Sequence, residues 1–316
     1  MKLSNLDLNL LVSLDALLDQ RSVTRAAQQL GLSQPALSAS LARLRRHFGD
    51  DLLARTGNEY RLTPLAAQLK PRVRLALEGV ERVFTAQPEF DAAESTREFS
   101  VLLSDYACAV LGEGLARLMA EEAPAARLRL EHNTPEAVDH AEQTLLTTDV
   151  LVLPHGFISD LPHADLLRDR WVIVVSEDNT EVGDALTVEQ LERLPWVATY
   201  YGPTASTPAA RQMRMLGIEP RVQVVTESFL TIPGLVAGSG RIALLQERLV
   251  RLLPVDVGIR ALPCPFEAGP LVDAMWWHPV YERDPEHAFF RDLVRRAADR
   301  STAAQGEPVS APHPRD

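Results

Sequence analysis

The chain has 316 residues, 46% hydrophobic and 24% charged, enough for two domains that each bury a core, with no apolar run long enough to span a bilayer. Its net charge of −11 is unevenly divided: residues 1–90 hold twelve basic and nine acidic side chains, and residues 91–316 hold 20 and 34, so a +3 segment precedes one of −14 and only the first suits phosphate. The two cysteines, Cys108 and Cys264, are far apart and in no metal spacing, so a disulfide framework and a metal site are excluded and no cofactor is expected.

The first predicted element is a helix from roughly Leu6 to Gln20. Leu6, Leu10, Leu14, Leu17 and Leu18 form one stripe, and Asp7, Asn9, Asp15 and Asp19 interrupt the run at helical intervals. That is an amphipathic helix of a folded domain rather than a secretory segment, and the protein is expected in the cytoplasm. Ser22 to Leu44 then reads as two short helices around a tight turn. Ser22 caps the first, in which Val23, Ala26, Ala27 and Leu30 repeat at helical spacing, and Gly31 permits the left-handed turn that ends it. Ser33 caps the second, which opens with Gln34-Pro35. Leu37, Leu41 and Leu44 fall on its inner face, and Gln34, Ser38, Ala42 and Arg45 on the outer one. A polar, small-residue start and a basic end suit a helix that reads base edges first and grips phosphates beyond, so the pair is a helix-turn-helix.

Leu52 to Arg55 and Tyr60 to Leu62, around Thr56-Gly57-Asn58-Glu59, predict a hairpin, the wing of a winged helix. Arg55 and Arg61 flank its tip, placed either to meet a DNA backbone or to sit on a solvated hairpin. Thr63-Pro64 starts a long helix to about Gln87, in which Leu69, Val73, Ala76, Val80 and Val83 make a seam suited to a second copy of the chain. Pro71 should kink or break that helix.

Beyond a hinge near residue 92 the pattern changes. Strands at Phe99–Leu103, Leu128–Glu131 and Asp149–Leu153 alternate with helices at Tyr106–Ala120 and Pro135–Leu146, which predicts a parallel sheet with crossover helices. Trp171–Val175 carries the chain into a second lobe with strands at Trp196–Tyr200, Arg221–Val225 and Ile242–Leu245 and helices at Leu186–Arg193, Thr207–Leu216 and Ile232–Gly238. Val272–Trp277 returns to the first lobe and Pro285–Asp299 closes it. The expected organisation is a DNA-binding domain over 1–63, a linker and dimerisation helix over 64–91, and a two-lobed domain over 92–300, with a disordered tail over 301–316. Within the two-lobed domain, lobe I takes 97–170 and 269–300, and lobe II takes 171–268. Ligands in such sheets bind beyond the carboxyl ends of the strands, which here is the cleft between lobes.

The N-terminal stretch resembles the LysR-type bacterial transcriptional regulators. Ala26-Ala27 before the turn, Leu32 to Pro35 opening the second helix and Leu62 to Pro64 opening the linker carry the resemblance. Ser38 is followed by Ala39 and Ser40 where many members have arginine, and this stretch looks more like the nodulation-regulator branch. The resemblance implies a winged helix-turn-helix, a linker helix and a periplasmic-binding-protein-like effector domain, a mixture of α+β and α/β architecture. It further implies a dimer or tetramer on an interrupted palindrome near promoters and a small-molecule effector, and leaves RNA polymerase open as another partner.

The candidate DNA contacts are Ser22, Arg25, Ser33, Gln34, Pro35, Ser38, Arg43, Arg45, Arg46, Arg55 and Arg61. Gln34 suits adenine, Ser38 either partner, and the Pro35 ring a thymine methyl. Ordinary capping is the alternative for Gln34 and Ser38, and pairing with Asp50 or Asp51 for one of Arg43, Arg45 and Arg46. The candidate effector contacts are Ser104, Asp105, Asn133, Thr134, Thr199, Tyr200, Thr226, Ser228 and Phe229, all at strand ends or helix starts. Their aromatic and hydroxyl groups suit a ring-bearing ligand, and Asp105 and Glu227, if both face the cleft, disfavour a carboxylate. Gly238-Ser239-Gly240-Arg241 lacks the lysine and spacing of a phosphate loop, and His278 has no ligand-spaced partner. The competing classes are a solute-binding clamp, disfavoured by the missing export signal, and an enzyme, for which no catalytic motif is present, so no catalytic residue is expected.

Overall fold

The computed structural model describes residues 7–56, 59–85, 90–200 and 206–305, in two compact units that divide between Glu89 and Phe90. In the first unit, α1 (Asn9–Gln20), α2 (Val23–Gln29) and α3 (Gln34–Phe48) are followed by strands β1 (Leu53–Thr56) and β2 (Glu59–Leu62) and by α4 (Pro64–Thr85). Leu14, Leu17 and Leu18 of α1 meet Ala26 and Ala27 of α2 and Leu37, Leu41 and Leu44 of α3 in one buried cluster. Each leucine removed from it would cost about 2–5 kcal/mol. Ser22 and Ser33 accept hydrogen bonds from the backbone N–H groups of Arg25 and Ala36, both at 3.4 Å, and Gly49 ends α3 at φ 62°. Leu52, wholly buried, takes the left-handed conformation at φ 60°, unusual for a leucine, and Asp50 holds it there by accepting from its N–H at 2.6 Å and from the Thr63 hydroxyl at 2.7 Å.

The α4 helix continues through Pro71 rather than breaking there. Leu69, Val73 and Leu77 pack into the same core on either side of the proline, and that packing outweighs the lost hydrogen bond. The expected seam is thereby partly occupied within the chain's own domain: Val73 is buried, Ala76 is exposed, and the Val83 side chain lies outside the description, as do Leu6 and the Gly57-Asn58 turn.

The second unit holds a nine-stranded sheet among the described residues. Parallel strands β3 (Glu98–Leu103), β4 (Arg127–His132) and β5 (Val150–Pro154) surround α5 (Asp105–Glu122), α6 (Pro135–Asp139) and α7 (Ala141–Thr144). The helix expected over Pro135–Leu146 is interrupted at His140, whose ψ of 39° leaves the helical region. The parallel expectation fails for the strands that join the lobes. β6 (His163–Ser176) is eight residues longer at its start than the sequence pattern suggests, because the polar stretch before Trp171 alternates on one face of the sheet. It pairs antiparallel with β11 (Pro270–Trp276) up to Arg170, and from Trp171 with β9 (Ile242–Gln246), while β10 (Ile259–Pro263) takes its other edge. The second lobe is completed by α8 (Val188–Arg193), β7 (Pro195–Thr199), α9 (Pro208–Met215), β8 (Arg221–Thr226), α10 (Ile232–Val236) and α11 (Glu247–Leu252). Finally, α12 (Pro285–Gln305) packs on α5. Residues 301–305 extend this helix instead of belonging to a disordered tail, since Ser301-Thr302-Ala303 carries no breaker.

Candidate nucleic-acid interface and ligand cleft

The first turn of α3 is anchored from below and open above. Leu37 and Leu41 are buried, and Gln34, Pro35 and Ser38 are exposed, on the side away from the core. The Ser22 and Ser33 oxygens are engaged as helix caps, which leaves their O–H groups to donate outward. The arginines divide into different roles. Arg46 is exposed and has no hydrogen-bond or ion-pair partner among the described residues. Arg43 pairs with Asp7 at 3.0 Å, and Arg25 donates to the Gln20 carbonyl at 2.7 Å. Arg45 turns toward the wing and donates to the carbonyls of Asp51 at 2.8 Å and Leu53 at 3.3 Å, so it fastens the recognition helix to β1. In the wing, Ala54 lies opposite Arg61 and Arg55 opposite Tyr60, so the two arginines leave opposite faces of the hairpin.

In the second unit a cleft opens between the lobes. Ser104, Thr134 and Thr207, which cap α5, α6 and α9, line it, so three helix N-termini converge there. Trp171, Phe229 and Tyr200 form an aromatic wall with ring centres 6.1 and 5.8 Å apart. Tyr200 holds a left-handed backbone at φ 54°, tied by its N–H to the Thr226 carbonyl at 3.0 Å. Among the described residues no lysine, arginine or histidine lines the cleft, while Asp139 and Asp273 do. Burial and the neighbouring Asp169 push the Asp273 carboxyl up to about 7. Asp169 is itself raised by burial, although it accepts from the Tyr106 hydroxyl at 2.7 Å and from the Arg170 and Arg248 N–H groups. Burial also raises the Tyr200 hydroxyl, to about 12.

Two contacts join the lobes at the cleft edges. Asp105 accepts from the Ser228 hydroxyl at 2.6 Å and from the N–H groups of Phe229 and Leu230 at 3.2 and 3.0 Å. On the other side the Arg211 guanidinium lies 4.3 Å from the centre of the Phe157 ring.

Residues 8–67 match the family described as bacterial regulatory helix-turn-helix protein, lysR family, and residues 92–299 match the LysR substrate binding domain. The chain belongs to the LysR family. It is accordingly a transcriptional regulator with a DNA-binding and an effector-binding domain, not an enzyme and not a bare solute-binding clamp. LysR-family relatives include Nodulation protein D 2 of Rhizobium tropici, 35% identical over 94% of this chain and 95% of its own length. Nodulation protein D 1 of Mesorhizobium japonicum is likewise 35% identical, over 96% of each chain. Among solved structures, a probable transcriptional regulator from Pseudomonas aeruginosa has 27% identity and a TM-score of 0.68 over 93% of this chain and 98% of that one. Full-length CbnR in complex with its target DNA shares the fold, at 18% identity and a TM-score of 0.63 over 92% and 100% of the two chains.

Of the effector residues expected for this LysR chain, Ser104, Asn133, Thr134, Tyr200 and Phe229 come together in the cleft. Thr199 faces a separate cavity behind β7, Thr226 bonds the Thr231 hydroxyl and the Ser228 N–H in its own turn, and Asp105 and Ser228 hold the lobes together. Neither Asp105 nor Glu227 lines the cleft, and its acidic character comes from Asp139 and Asp273 instead. Sequence reasoning passed over Tyr106, Phe157, Trp171, Thr207, Gln246 and Asp273. The strongest available signal was Asp273, a lone carboxylate inside the apolar strand Pro270–Trp276. His278, read as packed or on the surface, accepts from the Val280 N–H at 3.1 Å in a turn. Among the described residues no cluster of potential metal ligands occurs, and no helix is long and apolar enough to cross a membrane.

Proposed function

We propose that this LysR regulator binds an interrupted palindrome in the cytoplasm, with Gln34, Pro35 and Ser38 reading bases, and that an uncharged ring-bearing ligand in the interlobe cleft modulates it. The observation that carries the DNA reading is the exposed Gln34-Pro35-Ser38 edge, held rigid by the leucines beneath it. Arg46 supplies a backbone contact, and Arg55 and Arg61, on opposite faces of the wing, supply one to each flanking phosphate strand. The ligand class follows from the lining: aromatic walls favour a ring, helix caps offer hydrogen bonds, and the Asp139 carboxylate, with no cation among the described lining residues, opposes an anion. The domain limits proposed are 1–63, 64–91 and 92–300, with assembly as a dimer or tetramer through α4 and contact with RNA polymerase at the bound promoter.

Fluorescence anisotropy with DNA from upstream of the protein's own coding sequence tests this reading. Specific binding that falls steeply with salt is expected. Equal affinity for that DNA and for a scrambled duplex would overturn it.

A further inference from the structure

The floor of the cleft contains polar groups that no described residue satisfies. Trp171 and Gln246 face each other across β6 and β9, at the point where β6 leaves β11, and they are only 5% and 2% exposed. The indole N–H of Trp171 and the carboxamide oxygen of Gln246 are both buried without a hydrogen-bond partner among the described residues. Asp273, 4% exposed, stands nearby on β11 beside a break in the strand register. Among the described residues no hydrogen-bond donor reaches its carboxylate, and Asp169 is the charge it senses. All three line the same cavity.

Buried polar groups in folded proteins nearly always have partners, and each one left without a partner is costly. Two such groups with a carboxyl beside them, gathered at the end of one cleft next to an aromatic wall, have the arrangement of a ligand-binding surface rather than of a core. Their chemistry is complementary to a narrow class of group. The indole only donates, the glutamine carboxamide donates and accepts, and the aspartate accepts when ionised and can donate when protonated. A ligand atom placed here must therefore both accept and donate. A carboxylate only accepts and would leave the Gln246 oxygen unmet, with no cation among the described lining residues to offset its charge, and an ether or methyl group would leave the same acceptor unmet.

We infer that Trp171, Gln246 and Asp273 form a hydrogen-bonding subsite that receives an uncharged group able both to donate and to accept, a hydroxyl or a carboxamide, at the inner end of a ring-bearing ligand. The inference rests on the reading of the cleft as the effector site and adds the residues and polarity that select the effector.

The test uses the full chain labelled with 5-fluorotryptophan, whose four tryptophans give separate fluorine resonances. The Trp171 resonance is assigned by its loss in Trp171→Phe. Phenol and benzamide serve as probes, with anisole, toluene and benzoate as controls, and thermal shift provides a second readout. Phenol and benzamide are expected to move the Trp171 resonance and to bind about tenfold more tightly than anisole, as one net hydrogen bond warrants, and benzoate is expected to do neither. In Gln246→Leu the preference for phenol over anisole should shrink to near unity. Trp171→Phe, which keeps an aromatic ring but loses the N–H together with the second ring, should lower the same preference by thermal shift, so the test does not depend on one variant folding. If anisole and toluene move Trp171 as strongly as phenol, the cleft takes ligands but the polar subsite is wrong. If no probe moves Trp171 or the melting temperature, the subsite inference falls and the cleft loses its support as the effector site.

Discussion

Asp273 should make the second unit less stable as pH rises, and a neutral replacement should remove the effect. The carboxyl titrates near 3.8 in an unfolded chain and near 7 in the fold. Between those values the folded state keeps a proton that the unfolded state has released, so stability falls with rising pH and levels off above about 7. At pH 8 the buried carboxylate therefore costs about 4 kcal/mol, of which about 3 kcal/mol develops between pH 5 and pH 8. Asp273→Asn has nearly the same shape and does not titrate. The Asn side chain has its own packing and hydrogen-bonding cost, but that cost is constant with pH, so the diagnostic quantity is the change in the difference between variant and wild type. Urea unfolding at pH 5 and pH 8 measures it. Tryptophan fluorescence isolates the right unit, because Trp171, Trp196, Trp276 and Trp277 all lie beyond the division at Phe90. The stability of the Asn variant relative to wild type should rise by about 3 kcal/mol from pH 5 to pH 8. A difference that stays constant or shrinks would refute the view that Asp273 is held protonated by burial beside Asp169.

Gln34→Ala should relax selectivity at one base of each half-site by about 1–3 kcal/mol, read from anisotropy with single-base operator variants, while its helical content stays unchanged. Arg46→Ala should weaken binding to all sequences alike and lower the salt slope by about 1, and a base-specific loss would contradict a phosphate role. Arg45→Ala removes the two hydrogen bonds to the Asp51 and Leu53 carbonyls and should destabilise the first unit by about 1–3 kcal/mol in calorimetry, with no loss if its role were DNA contact alone. Asp105→Ala should speed hydrogen exchange at the Phe229 and Leu230 amides at least tenfold, because both now donate to that carboxylate, and unchanged exchange would remove it as the link between lobes.

The DNA-binding half was legible because its information is local. The caps at Ser22 and Ser33, the glycine turns and the leucine spacing each act within a few residues, and the observed α2 and α3 follow them closely. Arg45 meets the expected alternative of pairing with Asp51, 3.9 Å from its carboxylate, and what escaped were its carbonyl partners, which depend on where β1 is folded back. In the second unit, strands and helices were legible but their pairing was not. The apolar run Trp171–Ser176 announces a buried strand, whereas the preceding His163–Arg170 alternates and becomes strand only because β11 returns to pair with it from more than a hundred residues away.

The same distance explains why the cleft was half found. Residues such as Ser104, Thr134 and Phe229 lie at ends of elements, where a site in an α/β sheet is expected, and that expectation needs no pairing information. Trp171 lies on β6, which runs from one lobe into the other, and Gln246 and Asp273 lie on the strands that pair with its two halves, so that each read alone is an ordinary strand residue. Only the register places Trp171 opposite Gln246 and gives β6 a change of partner at that position. A strand that continues from one lobe into the other brings its own side chains and those of its paired neighbours to the bottom of whatever the lobes enclose, where water is least able to satisfy them. Polar residues there are costly to the fold, so the physical reason for their presence has to be sought in what the cleft holds.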